Sequence, residues 1–177
     1  ERAILVLDEA YYEYIERSDY PNGLKWVLEG RNVILLRTFS KIYGLAGLRL
    51  GYAIARPELI SLIERIRLPF NVGSIAQVAA IASLQDQDQV IKSRMMNNDG
   101  KNYFYSQFDR LGLKYVPSEA NFVWVDVGQD SKQVFVELLK RGVIIRTGDV
   151  FGWPTHIRIS TGLPQDNERC IKALEEV

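Results

Sequence analysis

Cysteine and histidine are almost missing from this chain, each occurring once, and neither sign of charge predominates, with 22 basic and 22 acidic residues among 177. A single cysteine, Cys170, excludes a disulfide framework. A single histidine, His156, without cysteine or acidic companions at ligand spacing, offers no metal set. Balanced charge argues against nucleic acid or an anionic membrane as partner. There is no apolar run long enough to cross a bilayer and no signal-peptide pattern, which suits a cytoplasmic protein. Internal repeats and low-complexity tracts are lacking too. The glycines at 44, 47 and 51 spell no dinucleotide fingerprint, and no Gly-x-x-x-x-Gly-Lys-Ser/Thr follows a strand, so neither common nucleotide-phosphate motif is supported. Nearly half of the chain, 47%, is apolar, enough for a substantial core.

What is present is concentrated in two early segments. Ile4-Leu-Val-Leu7 and Asn32-Val-Ile-Leu-Leu36 are short continuous apolar runs, the pattern of strands buried on both faces of a largely parallel sheet. Asp8 and the Arg37-Thr-Phe-Ser-Lys41 stretch therefore fall at strand carboxyl ends, the edge where open α/β sheets bind ligands. Lys41 brings an amine for a Schiff base, and Asp8 a carboxylate able to hold a pyridine nitrogen protonated. Tyr11, three residues on, offers a phenol for a phenolate oxygen, and Arg49 a forked guanidinium for a phosphate. Thr38 and Ser40 alternate about Phe39, so an extended backbone turns both hydroxyls toward one anion. Together these groups supply what pyridoxal phosphate requires. Plainer readings exist for each one alone. An isolated Ser-Lys pair is usually solvated, Asp8 could merely cap a turn after its strand, and the glycines serve turn geometry. It is the combination that favours the cofactor.

These motifs, in this order, resemble the fold type I pyridoxal-phosphate aminotransferases, with the histidinol-phosphate aminotransferase family nearest. The resemblance runs over essentially the whole chain, as the carboxyl-terminal half of such an enzyme. Asp8-Glu-Ala-Tyr11 resembles the family's ring-nitrogen and phenolate motif, and Thr38-x-Ser-Lys41 with Arg49 its Schiff-base and phosphate motif. Ser118-Glu-Ala-Asn-Phe122 and His156-Ile-Arg-Ile-Ser160 resemble its small-domain signatures. By that resemblance Arg158 grips the acidic end of the substrate, with Arg146 and Asn121 as further substrate contacts. The activity implied converts histidinol phosphate and 2-oxoglutarate to imidazole-acetol phosphate and glutamate. The partners implied are that small-molecule substrate pair and, in the full-length enzyme, a second copy in a homodimer. A phosphate loop, a ring-stacking aromatic and an asparagine beside the phenolate precede this segment in the family. The chain begins at Glu1, without methionine and just ahead of an expected buried strand, which reads as a fragment. The alternatives are a threonine-phosphate decarboxylase-like lyase, another amino-acid aminotransferase, or a fragment inactive alone that serves as a binding module.

The fold expected is α/β, the later part of a large cofactor-binding domain with a mostly parallel sheet, followed by a smaller α+β domain. Residues 1–83 carry the sheet motifs, a helix opened by Pro57 and another after Ser74; the polar stretch 84–98 forms the junction; residues 99–177 form the small domain. Within the last, the pattern predicts a helix stopped by Gly112, strand 122–127, helix 131–141 ended by Gly142, strands 143–146 and 156–160, and a final helix carrying Cys170. Alternation in 156–160 sets Ile157 and Ile159 on one face, and His156, Arg158 and Ser160 on the other.

Overall fold

The computed structural model describes residues 3–177, so the expected start at Glu1 lies outside them. Two compact units result, one ending at Lys92 and the other beginning at Ser93.

In the first unit, β1 (Leu5–Asp8) runs parallel to β2 (Val33–Thr38), which pairs antiparallel with β3 (Gly51–Ala55). Both expected strands form, displaced toward their polar ends, so that Asp8 and Thr38 are the last residues of their strands. The third was not legible as a strand because Gly51-Tyr-Ala-Ile-Ala55 has no clean alternation. Helix α1 (Gly23–Leu28) opens on Asn22, whose Oδ1 accepts the Lys25 N–H at 3.0 Å, and sets Val27 against Val33 and Leu35. A Cβ at Gly23 would come within 2.6 Å of the Leu35 side chain, so only glycine permits that approach. Burial on two faces is not met within this chain: Leu5 and Val6 of β1 are 47% and 53% exposed, and Leu36 of β2 is 38% exposed. The helices at Pro57 and Ser74 form as α2 (Pro57–Glu64) and α3 (Ser74–Gln85), α2 with proline in its first turn.

The polar stretch is helical from Gln87 onward. Helix α4 (Gln87–Leu111) starts where Asp86 accepts the Gln89 N–H at 3.1 Å, and keeps Val90, Asn97, Lys101, Phe104 and Phe108 buried at helical spacing. It ends in a Schellman motif: Gly112, at φ 69°, donates to Asp109 O, and Leu113 N–H to Phe108 O.

The second unit is a helix-backed antiparallel sheet. Its strands β4 (Lys114–Val116), β5 (Phe122–Asp126), β6 (Arg146–Thr147) and β7 (His156–Ser160) lie in the order β4-β5-β7-β6. Val123, Val125, Ile157 and Ile159 bury one face against Phe104 and Phe108, against Val134 and Leu138 of α5 (Ser131–Lys140), and against Cys170 and Ile171 of α6 (Pro164–Glu175). The expected strand at 143–146 is reduced to Arg146–Thr147. Val143 is used instead to close the end of α5, donating to Leu138 O behind Gly142 at φ 74°.

Candidate active site

Three backbone features bring the sequence-predicted groups of the first unit together. Parallel pairing sets Asp8 beside Leu36, β2 delivers Thr38 at its end, and the segment beyond it turns back through a 3-10 turn to β3. The result is a cavity of about 430 Å³ lined by Asp8, Thr38, Ser40, Lys41 and Arg49, together with Ala10, Leu36, Arg37, Leu50 and Gly51. Small-molecule sites are typically ~300–1,000 Å³. A slightly larger cavity, of about 470 Å³, lies at the opposite ends of β1 and β2. Its one charged lining residue, Arg31, is already paired with Glu29 at 2.9 Å, so the chemistry belongs to the Lys41 cavity.

Each polar group there is held in a definite way. Asp8 Oδ1 accepts the Ala10 N–H at 3.1 Å, so the plain turn-capping role and exposure to the cavity coexist in one side chain. Thr38 differs from the expectation of two hydroxyls turned toward one anion. Its Oγ1 donates to Leu50 O at 3.3 Å and accepts the Ser40 N–H at 3.0 Å, so it shapes the turn that presents Ser40. Arg49 occupies the left-handed region at φ 53°, a costly conformation for a residue with a side chain. Its Nη1 donates to Ala46 O at 2.8 Å and lies 3.5 Å from Ser40 Oγ, which aims the fork along the cavity wall. A Cβ on Gly51 would sit 2.8 Å from Arg37 O, so this glycine lets the strands close behind the site. Lys41 Nζ lies 5.3 Å from the centroid of the Tyr11 ring, which packs with Tyr14 and Ile42 and does not itself line the cavity.

Two residues to which the sequence reading gave no role, Glu9 and Arg37, support this cavity. Arg37 donates from Nε and Nη2 to Glu9 Oε2 at 2.9 and 2.8 Å, and its guanidinium lies 3.7 Å from the centroid of Tyr12. Burial opposes the Arg37 charge, but Glu9 and Tyr52 outweigh it and hold the group above its ordinary value. The only signal in the sequence was an acid directly after Asp8 and a base directly before Thr38.

The remaining predicted residues lie in the second unit. Antiparallel register sets Arg146 directly opposite Arg158, and among the described residues neither makes an ion pair. The Arg158 guanidinium lies 5.0 Å from the centroid of the Phe122 ring. Asn121 ends a loop moored by one face of α4: Asn97 donates to Ala120 O, Lys101 to Ser118 O, and Tyr105 accepts from Ser118 N–H. His156 stacks on Trp124 and faces Trp153, as a structural residue does. No group of three or more His, Cys, Asp or Glu that could hold a metal occurs among the described residues, and none of their helices is long and apolar enough to cross a membrane.

Residues 1–174 match the family model for aminotransferase class I and II. The chain belongs to this family. The aminotransferase likeness extends to individual relatives. The histidinol-phosphate aminotransferase of Moorella thermoacetica is 57% identical over 98% of the chain, and that of Caldicellulosiruptor saccharolyticus 50% identical over 98%. The chain spans about half the length of these curated relatives, 45% and 48% respectively. Among solved structures, the Sinorhizobium meliloti histidinol-phosphate aminotransferase in complex with pyridoxal-5'-phosphate superposes with a TM-score of 0.90 at 35% identity, over 98% of this chain and 48% of that one. The L-threonine-O-3-phosphate decarboxylase of Porphyromonas gingivalis shares the fold, with a TM-score of 0.85 at 24% identity, over 97% of this chain and 54% of that one. The α/β aminotransferase fold read from the sequence is thus the fold of the molecule.

Proposed function

We propose that this chain carries the lysine side of a pyridoxal-phosphate site and that the protein transfers an amino group between histidinol phosphate and 2-oxoglutarate. The observation that supports this most is the shared cavity, in which an amine, a carboxylate, a hydroxyl and a guanidinium converge. Its chemistry fits the cofactor. Lys41 Nζ would hold the carbonyl carbon, Asp8 the ring nitrogen, Ser40 and Arg49 the phosphate, and Tyr11 the phenolate oxygen, while Thr38 keeps the Ser40 turn closed.

Bound there, pyridoxal phosphate supplies an electron sink for the bond broken at the substrate carbon and carries the amino group between the two substrates. Asp8 keeps the ring-nitrogen proton in place through its charge. With the group bound, Lys41 Nζ would serve as the base that takes and holds the proton moved from the substrate carbon. Arg49 counters the phosphate with a fork already aimed by Ala46 O. In the second unit, Arg158 is the proposed receptor for the acidic end of each substrate, a phosphate in one half-reaction and a carboxylate in the other. Arg146 and Asn121 are proposed as its neighbours in that role. The homodimer and cytoplasmic location implied by the resemblance belong to the same proposal.

The decisive experiment is borohydride reduction of the protein loaded with pyridoxal phosphate, followed by peptide mapping. Label on Lys41, and none in Lys41→Ala, is the expected result; label elsewhere or nowhere overturns the assignment. Assay with both histidinol phosphate and threonine phosphate then separates the reactions. Amino transfer to 2-oxoglutarate supports the reading, whereas carbon dioxide release from threonine phosphate replaces it with the lyase.

A further inference from the structure

The most deeply buried ion pair of the first unit lies immediately beside its cavity. Glu9 is 3% exposed at the carboxyl end of β1, and both its hydrogen bonds from Arg37 converge on Oε2. Its Oε1 has no hydrogen-bond partner among the described residues. Taking such a pair out of water costs more than its attraction reliably returns, so stability alone is a weak reason for it. Its position supplies another. Glu9 follows Asp8 and Arg37 precedes Thr38, so the pair ties together the two strand ends that carry the site.

The geometry makes this tie specific. Glu9 N–H donates to Leu36 O at 2.8 Å, extending the parallel ladder one residue past Asp8. Successive side chains alternate between faces, so Glu9 and Arg37 share one face while Asp8, Leu36 and Thr38 share the other. A slip of one residue would exchange those faces and carry Asp8 out of the cavity. β1 is four residues long, and only four paired positions set its register against β2. Two donors closed onto one oxygen, with the Tyr12 ring against the guanidinium, favour this alignment of the two strand ends.

We infer that Glu9 and Arg37 are positioning residues that lock β1 to β2 in register, so that the Asp8 carboxylate is held toward the ring nitrogen of a bound pyridoxal phosphate. This rests on the proposed cofactor site.

The test is a double-mutant cycle read by the dissociation constant of pyridoxal phosphate, followed by its visible absorbance. Glu9→Gln and Arg37→Lys should each weaken binding by about 10- to 100-fold, the scale on which groups behind a ligand act. In an Asp8→Asn background, Glu9→Gln should cost no further affinity, because the carboxylate that it positions has lost its charge. Losses that simply multiply would reduce the pair to general structure and overturn the inference. Glu9→Gln with Arg37→Met removes both charges and strands neither, which keeps the test valid if the single variants unfold. That double variant should melt near wild type yet bind the cofactor weakly; wild-type affinity in it overturns the inference. A wild-type protein that takes up no cofactor overturns the proposed site and the inference together. A wild-type protein that binds while every variant binds equally well overturns the inference alone.

Discussion

Asp8 closes a turn and is proposed for a second task, and one substitution separates the two. Its Oδ1 closes a turn by accepting the Ala10 N–H, and its charge is what a protonated ring nitrogen needs. Asp8→Asn retains the acceptor and loses the charge, so the melting temperature should hold while kcat falls by the equivalent of about 3–4 kcal/mol, the worth of one preorganised electrostatic group. An unchanged kcat with weaker substrate binding would leave Asp8 as a turn former. Arg158 is the second informative residue. Arg158→Lys keeps the charge but not the planar fork, and should weaken binding in both half-reactions, measured separately with histidinol phosphate and with glutamate. Loss with only one substrate would assign the other anion to Arg146, and loss with neither would make Arg158 a surface arginine. At this scale the sequence names the chemical types and leaves their hydrogen-bond partners open. Nothing in Thr38-Phe-Ser-Lys41 states that the threonine hydroxyl is spent on Leu50 O and Ser40 N–H.

Between elements, the pairing of β6 with β7 sets two guanidinium groups on adjoining strands of one sheet face. Like charges directly opposite each other cost about 0.2–1 kcal/mol, which an anion between them would relieve. Arg146→Gln should therefore raise the urea midpoint slightly while reducing the stabilisation that added inorganic phosphate gives the wild type. Equal phosphate stabilisation in both proteins would remove Arg146 from the proposed anion site. Helix α5 offers a control without functional content. Asp130 Oδ1 accepts the Lys132 and Gln133 N–H groups at 2.8 and 3.2 Å, so Asp130→Ala should cost about 1 kcal/mol in denaturant melts and leave cofactor binding alone. Helix ends were readable because the capping chemistry is local: Pro57, Gly112 and Gly142 all act within one turn. Strand edges were less so. Residues 143–145 look extended in the sequence, but the Val143 N–H is drawn into the end of α5, donating to Leu138 O.

For the molecule as a whole, Cys170 provides a pH-dependent reading of the second core. Burial pushes its thiol up to about 12 from an ordinary 9.0. The folded state thus keeps a proton that the unfolded chain releases, so this contribution is complete below the unfolded value and declines as pH rises from about 9 toward 12. Cys170→Ala should flatten the fall of stability with pH across that window, in urea melts against wild type, and an identical slope would show that the thiol is not the titrating group. Sequence alone determined the order and chemistry of the motifs: apolar strands leading into Asp8 and into the Thr38–Lys41 stretch, an arginine eight residues after that lysine, and an alternating strand bearing Arg158. These are consequences of local periodicity and residue type, which need no fold to be read. Tertiary structure alone decided that Glu9 meets Arg37 across 28 positions, that Arg49 adopts a left-handed backbone, and that Arg146 stands opposite Arg158. The two pairings depend on strand register, which arises between distant segments and leaves no periodic trace in either one, and the Arg49 backbone is set by the turn that returns the chain to β3.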